Sequence, residues 1–97
     1  MTRPAPTGYV AECFWPGVSE ADLPDLDHRI GVSVAEHGGD AVRYLGSMVI
    51  VDDEVVLCLF EGPIATVRRI AERAGVPFER ILRGTGAPWS RYDSPST

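Results

Sequence analysis

The chain has 97 residues, 44% of them hydrophobic and 24% charged, a composition typical of one soluble globular domain. A chain of this length can bury one core but cannot enclose a large cavity, so a sizeable pocket needs walls from a second subunit. Nine basic residues, all arginine, stand against fourteen acidic ones, and the resulting net charge of −5 argues against nucleic acid as a partner.

The first predicted element is a strand from Tyr9 to Trp15, interrupted by the charge of Glu12 and ended by Pro16-Gly17. Residues 1–7 carry two prolines and no hydrophobic pattern, so we predict a flexible N-terminal tail there. This opening has no apolar segment of the kind that a secretory signal needs. We therefore expect a cytoplasmic protein, with no membrane partner.

A first helix is predicted to follow, with Ser19 as its N-cap and an acid three residues later. Pro24 lies too far in for a helix that begins at Ser19, so we expect either a kink or a true start near Asp22. Spacings of three and four residues predict a buried stripe of Leu23, Leu26, Ile30 and Val34, and leave Glu20, Asp25, Asp27 and Arg29 in water. Gly38-Gly39 ends the helix.

Two strands, Val42 to Val51 and Glu54 to Glu61, are predicted to form an antiparallel hairpin around Asp52-Asp53. A second helix follows Gly62-Pro63 and stops at Gly75 and Pro77, with apolar residues Ile64, Val67, Ile70, Ala71 and Ala74 on one side. Phe78 to Leu82 is the last strand, and residues 84–97 are predicted to be a C-terminal tail.

The order β-α-β-β-α-β over residues 8–83 predicts the α+β, ferredoxin-like fold, a four-stranded antiparallel sheet with two helices on one face. The hairpin strands show no alternation of apolar and polar residues, so both of their sides should be buried. A homodimer that packs sheet against sheet, a dimeric α/β barrel, satisfies this pattern and leaves a cleft between the subunits.

Few residues suggest chemistry. Period-two counting puts Glu12 and Glu61 on faces that coincide if strands one and three are neighbours, where they form either an acid/base pair or ligands for a hard metal. The structural alternative is that each carboxylate reaches solvent or an arginine. His28 on the first helix and Tyr44 on the second strand complete the candidates for the cleft.

Several site classes have no support in the sequence. There is no zinc-ligand spacing, glycine-rich phosphate loop or nucleophile elbow, and no catalytic residue is assigned. Cys13 and Cys58 lie in apolar runs and are interpreted as buried free thiols. We favour a homodimeric protein that holds a small ligand over a cofactor-independent enzyme doing acid/base chemistry on a small hydrophobic substrate.

Four segments in register, Glu12–Ser19, Val42–Ser47, Leu57–Pro63 and Ala71–Pro77, resemble a bacterial family. The chain is similar to the small nickel-binding-protein-like family, a domain of unknown function common in actinobacteria. The resemblance covers roughly residues 8–83. It implies a ferredoxin-like dimer and, as for at least one member, nickel or other divalent-metal binding with a role in sequestration.

The residues that match family positions, and that the resemblance implies as metal ligands, are Cys58, Glu61, Glu12 and His28. Metal-binding members tend to carry histidine in the first strand and its following turn, where this sequence reads Glu12-Cys13-Phe14-Trp15. The imidazoles that suit Ni²⁺ are therefore missing there. Cys58 and Glu61 also lie on opposite faces of one strand unless a bulge at Phe60 to Glu61 turns the chain, so we expect nickel to bind weakly.

Overall fold

The computed structural model describes residues 7–89, in which two helices cover one face of a four-stranded antiparallel sheet. The elements are β1 (Thr7–Phe14), α1 (Leu23–Ser33), β2 (Arg43–Ile50), β3 (Val55–Glu61), α2 (Ile64–Arg73) and β4 (Arg80–Thr85). The strand order is β2-β3-β1-β4, which confirms the predicted ferredoxin-like arrangement. No helix within residues 7–89 is long and apolar enough to cross a membrane.

Helix α1 begins at Leu23, because Pro24 is tolerated only in the first turn. A single 3₁₀ turn precedes it, and the backbone N–H of Ser19 donates to the Asp22 carboxylate at 2.9 Å. The predicted start near Asp22 is thus confirmed. The helix widens into a π-type turn over Val34–Gly38 and ends at Gly39, where φ is 54°.

The β2–β3 connection is a 3₁₀ turn over Val51–Asp53, one residue earlier than the predicted acidic turn. Glu54 closes it with a left-handed φ of 54°, a conformation uncommon for a residue with a side chain. The Glu54 carboxylate accepts a 2.7 Å hydrogen bond from the backbone N–H of Gly17, which ties the turn to the chain leaving β1. The register shift between β2 and β3 lies in β2, between Tyr44 and Gly46.

The two faces of the sheet have different surroundings. One face, called the helix face, carries Ala11, Cys13, Val56, Cys58 and Phe60, all buried beneath Leu26 and Ile30 of α1 and Val67 and Ile70 of α2. The other face, called the open face, has neither α1 nor α2 over it, and the Trp89 indole covers its end at Gly8 and Gly84. The main hydrophobic cluster of residues 7–89 lies on the helix side.

Ordered structure continues past the predicted domain boundary at residue 83. Strand β4 runs to Thr85, and a 3₁₀ turn over Ala87–Trp89 folds back so that the Trp89 indole is buried. Trp89 Nε1 donates a 2.9 Å hydrogen bond to the Phe60 carbonyl. Of the predicted tails at 1–7 and 84–97, the parts at 1–6 and 90–97 lie outside the described residues.

Candidate functional site

The open face is arranged in four cross-strand rows. The first joins Ile50, Val55 and Phe14; the second joins Met48, Leu57, Glu12 and Arg80; the third joins Gly46, Leu59, Val10 and Leu82; the fourth contains the paired residues Arg43 and Glu61, and Gly8 and Gly84. Apolar side chains fill the first and third rows completely apart from Gly46. The charged residues are confined to the second and fourth rows.

Glu12 and Glu61 do share the open face, which is the condition under which they were expected to meet. They do not meet. Glu12 lies opposite Leu57, four residues along β3 from Glu61, which places the two glutamates about 13 Å apart. Each has an arginine partner instead: Arg80 Nε lies 2.7 Å from a Glu12 oxygen, and Arg43 Nε lies 2.9 Å from a Glu61 oxygen. These positions agree with the alternative prediction, in which each carboxylate reaches solvent or an arginine.

The other predicted ligands lie elsewhere. Cys58 is buried on the helix face, opposite in direction to Glu61, because β3 pairs with β1 without a register shift over residues 55–60. His28 is exposed on α1, where it lines a surface groove of about 230 Å³ between α1 and α2 together with Val32, Glu36 and Arg73. Tyr44 points into the helix layer, with its ring 5.1 Å from that of Phe60. None of these three side chains belongs to the open face.

The residues therefore do not fit a nickel site within one protomer. The four residues lie on the helix face (Cys58), in two different rows of the open face (Glu61 and Glu12) and on the outer surface of α1 (His28). Among residues 7–89 no three His, Cys, Asp or Glu side chains come together in a way that could hold a metal ion. A divalent ion needs three or more convergent donors, and residues 7–89 of one copy do not supply them.

A polar cluster lies between α1 and β2, formed by Asp27, Tyr44 and Ser47. Asp27 Oδ1 accepts hydrogen bonds from the Tyr44 hydroxyl at 2.5 Å and from the Ser47 hydroxyl at 2.6 Å. Asp27 was expected to stay in water, and this prediction is wrong: the residue is partly buried against the edge strand. Two hydroxyl donors replace the water that the carboxylate loses, which makes the burial tolerable.

The position of Asp27 in the sequence predicts burial, although its residue type predicts exposure to water. Leu23, Asp27, Ile30 and Val34 are spaced by four, three and four residues, so Asp27 lies in the same stripe as the apolar residues. A carboxylate in a buried stripe requires hydrogen-bond donors across the interface. Tyr44 and Ser47 are such donors on a strand predicted to be apolar.

Two thiols adjoin this cluster. Ser47 is the cross-strand partner of Cys58, and Cys13 lies diagonally across from Cys58 on the neighbouring strand β1. The neighbouring Cys58 thiol lowers the pKa of Cys13, while the Cys13 thiol and burial raise the pKa of Cys58. Burial and the bond to Asp27 raise the pKa of Tyr44. Both cysteines are buried and unbridged, as predicted.

Comparisons with known proteins agree with the predicted resemblance. Residues 9–83 match the model of a family described as nickel responsive protein SCO4226-like. The crystal structure of SCO4226 from Streptomyces coelicolor A3(2) matches with a TM-score of 0.58 and 20% sequence identity, covering 77% of this chain and 91% of that chain, a level of likeness that concerns the fold. No curated protein gives a significant match. Since the family model spans the chain from β1 into β4, the protein belongs to the SCO4226-like family.

Proposed function

We propose that the protein is a small homodimeric binding protein, in which two copies pack through their open faces and hold a small molecule between them. The observation that carries this proposal is the exposure of large apolar side chains on that face. Phe14 is 50% exposed, Met48 49% and Leu82 40%, and they surround half-buried Leu57 and Leu59. An apolar surface of this extent on a soluble chain is typical of an interface.

The charges on the open face suit a self-complementary contact. Glu12 is already paired with Arg80, and Glu61 with Arg43, so each pair has no net charge when a second copy approaches. An interface that buries unpaired charge is costly, whereas preformed pairs at its edge are tolerated. A second copy is a sufficient partner, because an isologous interface needs only one patch that is complementary to itself.

The proposed ligand is a small molecule with an apolar body, in line with the side chains that would line the cleft. Of the four cleft candidates, Glu12 and Glu61 lie on the open face, and Tyr44 and His28 do not. The two ion pairs are therefore the groups available to orient a polar end of the ligand. Within residues 7–89 the two glutamates do not form an acid/base pair that would support the enzyme alternative, since each is paired with an arginine.

Light scattering coupled to size exclusion tests the dimer. We expect the wild-type protein to elute at twice the chain mass, and Leu59→Arg to elute as a folded monomer, because the charge would be buried at the centre of the interface. Val32→Arg is the matched control, since Val32 is an exposed apolar residue on α1, and it should leave the dimer intact. A wild-type monomer at micromolar concentration would remove the proposal.

Native mass spectrometry of the purified dimer tests the ligand. We expect a population with a bound small organic molecule, lost when Leu59→Arg separates the subunits. A dimer that carries no added mass after purification from several growth conditions would leave the chain as a dimer without the proposed binding role. Glu12→Gln and Glu61→Gln keep the shape of the face and remove one charge each, so they report whether the ion pairs orient the ligand.

The description of the family as nickel responsive makes nickel the second candidate. Because the matched donors do not converge within one chain, we expect calorimetric titration of the reduced protein with Ni²⁺ and Zn²⁺ to give millimolar or undetectable binding. Submicromolar Ni²⁺ affinity that is lost in both Cys58→Ser and Glu61→Gln would contradict this and assign a metal role to these residues.

A further inference from the structure

The buried thiols of Cys13 and Cys58 form a pair that neither the open face nor the proposed dimer uses. In the β1–β3 register Cys58 lies opposite Ala11 and Cys13 opposite Val56, so the two cysteines are diagonal neighbours on the helix face. Both are at most 1% exposed. The sheet thus holds two thiols as diagonal neighbours beneath the helices.

Within residues 7–89 this pair has no third donor of the kind that a divalent ion requires. The Asp27 Oδ1 atom already accepts two hydroxyl hydrogen bonds, and within residues 7–89 no cluster of three His, Cys, Asp or Glu side chains is able to hold a metal. Ni²⁺ and Zn²⁺ prefer four or more ligands, whereas a monovalent, thiophilic d¹⁰ ion is satisfied by two thiolates. The lack of a third donor among residues 7–89 therefore favours a soft, monovalent ion over a divalent one.

The polar cluster lies between this pair and the edge of the sheet. Ser47 is paired with Cys58 and belongs to β2, the edge strand of the sheet, so one strand separates the Cys58 sulfur from water. Asp27, Tyr44 and Ser47 are each partly exposed. The polar cluster therefore adjoins Cys58 on the side of the edge strand.

We propose that Cys13 and Cys58 form a two-coordinate binding site for a thiophilic monovalent cation, with Cu(I) as the ion that this chemistry selects. Two copper–sulfur bonds form, the protons of the two thiols pass to solvent, and copper arrives and stays as Cu(I), so no electron is transferred. The Tyr44 and Ser47 hydroxyls lie next to the Cys58 sulfur and can turn toward it as it becomes negative.

The test is anaerobic titration of the reduced full chain with Cu(I) held by a chromophoric chelator, followed by native mass spectrometry. We expect one copper per chain, taken from the chelator, and a release of protons measured in weak buffer. Cys13→Ser and Cys58→Ser should each abolish uptake, whereas Ser47→Ala, which removes a neighbouring hydroxyl but no sulfur, should retain it. Ag(I), which has the same charge and no redox chemistry under these conditions, should compete for the site.

X-ray absorption at the copper edge keeps the proposal falsifiable if the cysteine variants do not fold. We expect two sulfur neighbours and no nitrogen or oxygen neighbour in the wild-type complex. Failure of the wild-type chain to take Cu(I) from the chelator, or a site with three or more ligands, overturns the assignment. Cu(I) uptake that persists in a folded Cys13→Ser variant overturns it as well. The dimer-breaking Leu59→Arg should still bind copper, because the thiol pair lies on the other side of the sheet.

Discussion

One carboxylate organises the contact between α1 and the edge strand. Asp27 accepts from Tyr44 and Ser47, and its loss would leave two partly buried hydroxyls without their acceptor. We predict that Asp27→Ala lowers the free energy of unfolding by about 2–4 kcal/mol, the range for breaking a buried hydrogen-bond network. Urea denaturation measures this difference.

Asp25→Ala is the matched control, because Asp25 lies on the same helix and its side chain is 78% exposed. Its ion pair with Arg29 spans one helical turn in solvent, and such pairs contribute about 0.5 kcal/mol or less. Equal losses for Asp25→Ala and Asp27→Ala would show that the polar cluster adds nothing to stability.

Tyr44 makes stability depend on alkaline pH. Its pKa in the folded chain is raised by burial and by the bond to Asp27, above the ordinary value near 10. A raised pKa contributes stability that is fully present below pH 10 and is lost as pH rises beyond it, because the unfolded chain releases the proton first. We predict that unfolding free energy falls less steeply between about pH 9 and 11 in Tyr44→Phe than in wild type. Identical slopes would contradict the role assigned to this hydroxyl.

Residue type was a good guide for the hydrophobic core and a poor one for the polar cluster. Leu26 and Ile30 were predicted to be buried and are, because their spacing and chemistry agree. Asp27 was placed in water because its chemistry outweighed its position in the stripe. The arginine partners of Glu12 and Glu61 could not be predicted from the sequence either, because the cross-strand register decides which arginine lies opposite each carboxylate.

At the scale of elements, Trp89 joins the last strand to the first. A methyl group at Gly84 would lie 2.5 Å from the Trp89 ring, so the indole rests directly on the glycine backbone. We predict that Trp89→Ala costs about 3 kcal/mol and Gly84→Ala about 1–3 kcal/mol. The double variant should cost no more than Trp89→Ala alone, because removing the indole makes room for the methyl group.

Gly31→Ala is the control for this cycle. Gly31 is an exposed helical glycine with no atom near its missing methyl group, so alanine should stabilise α1 by about 0.5–1 kcal/mol. Additive losses from Gly84→Ala and Trp89→Ala in chemical denaturation would show that the two residues do not act through one contact.

Periodicity predicted the type and order of the elements better than their ends. The last strand was placed at Phe78 to Leu82, but β4 begins at Arg80. Phe78 packs on the core and beneath the Arg68 guanidinium, which lies 5.7 Å from its ring centroid, so its hydrophobicity serves packing and precedes the strand. Trp89 was assigned to a tail because the polar, glycine-rich segment around it gives no pattern to detect.

For the whole molecule, the distribution of apolar side chains over the two faces follows from composition and pattern. The hairpin strands have no polar side, so a sheet with helices on one face leaves apolar residues exposed on the other. Both the fold and the apolar character of the open face could therefore be predicted from the sequence. What occupies that face depends on shape complementarity between two surfaces, which a hydrophobic pattern does not encode.

Coupling between folding and the proposed dimer gives a prediction for the intact protein. A partner that binds only the folded state stabilises it by mass action, so the melting temperature of a dimer rises with protein concentration. We predict that the melting temperature of wild type rises when the protein concentration is increased 100-fold, to about 100 times the dissociation constant of the dimer. The melting temperature of Leu59→Arg should not depend on protein concentration. Val32→Arg should follow wild type, since it adds the same charge away from the open face. The contrary result is a wild-type sample that is monomeric by light scattering and whose melting temperature does not change with protein concentration. It would mean that the open face does not bind a second copy, and that the exposed Phe14, Met48 and Leu82 side chains are tolerated in water.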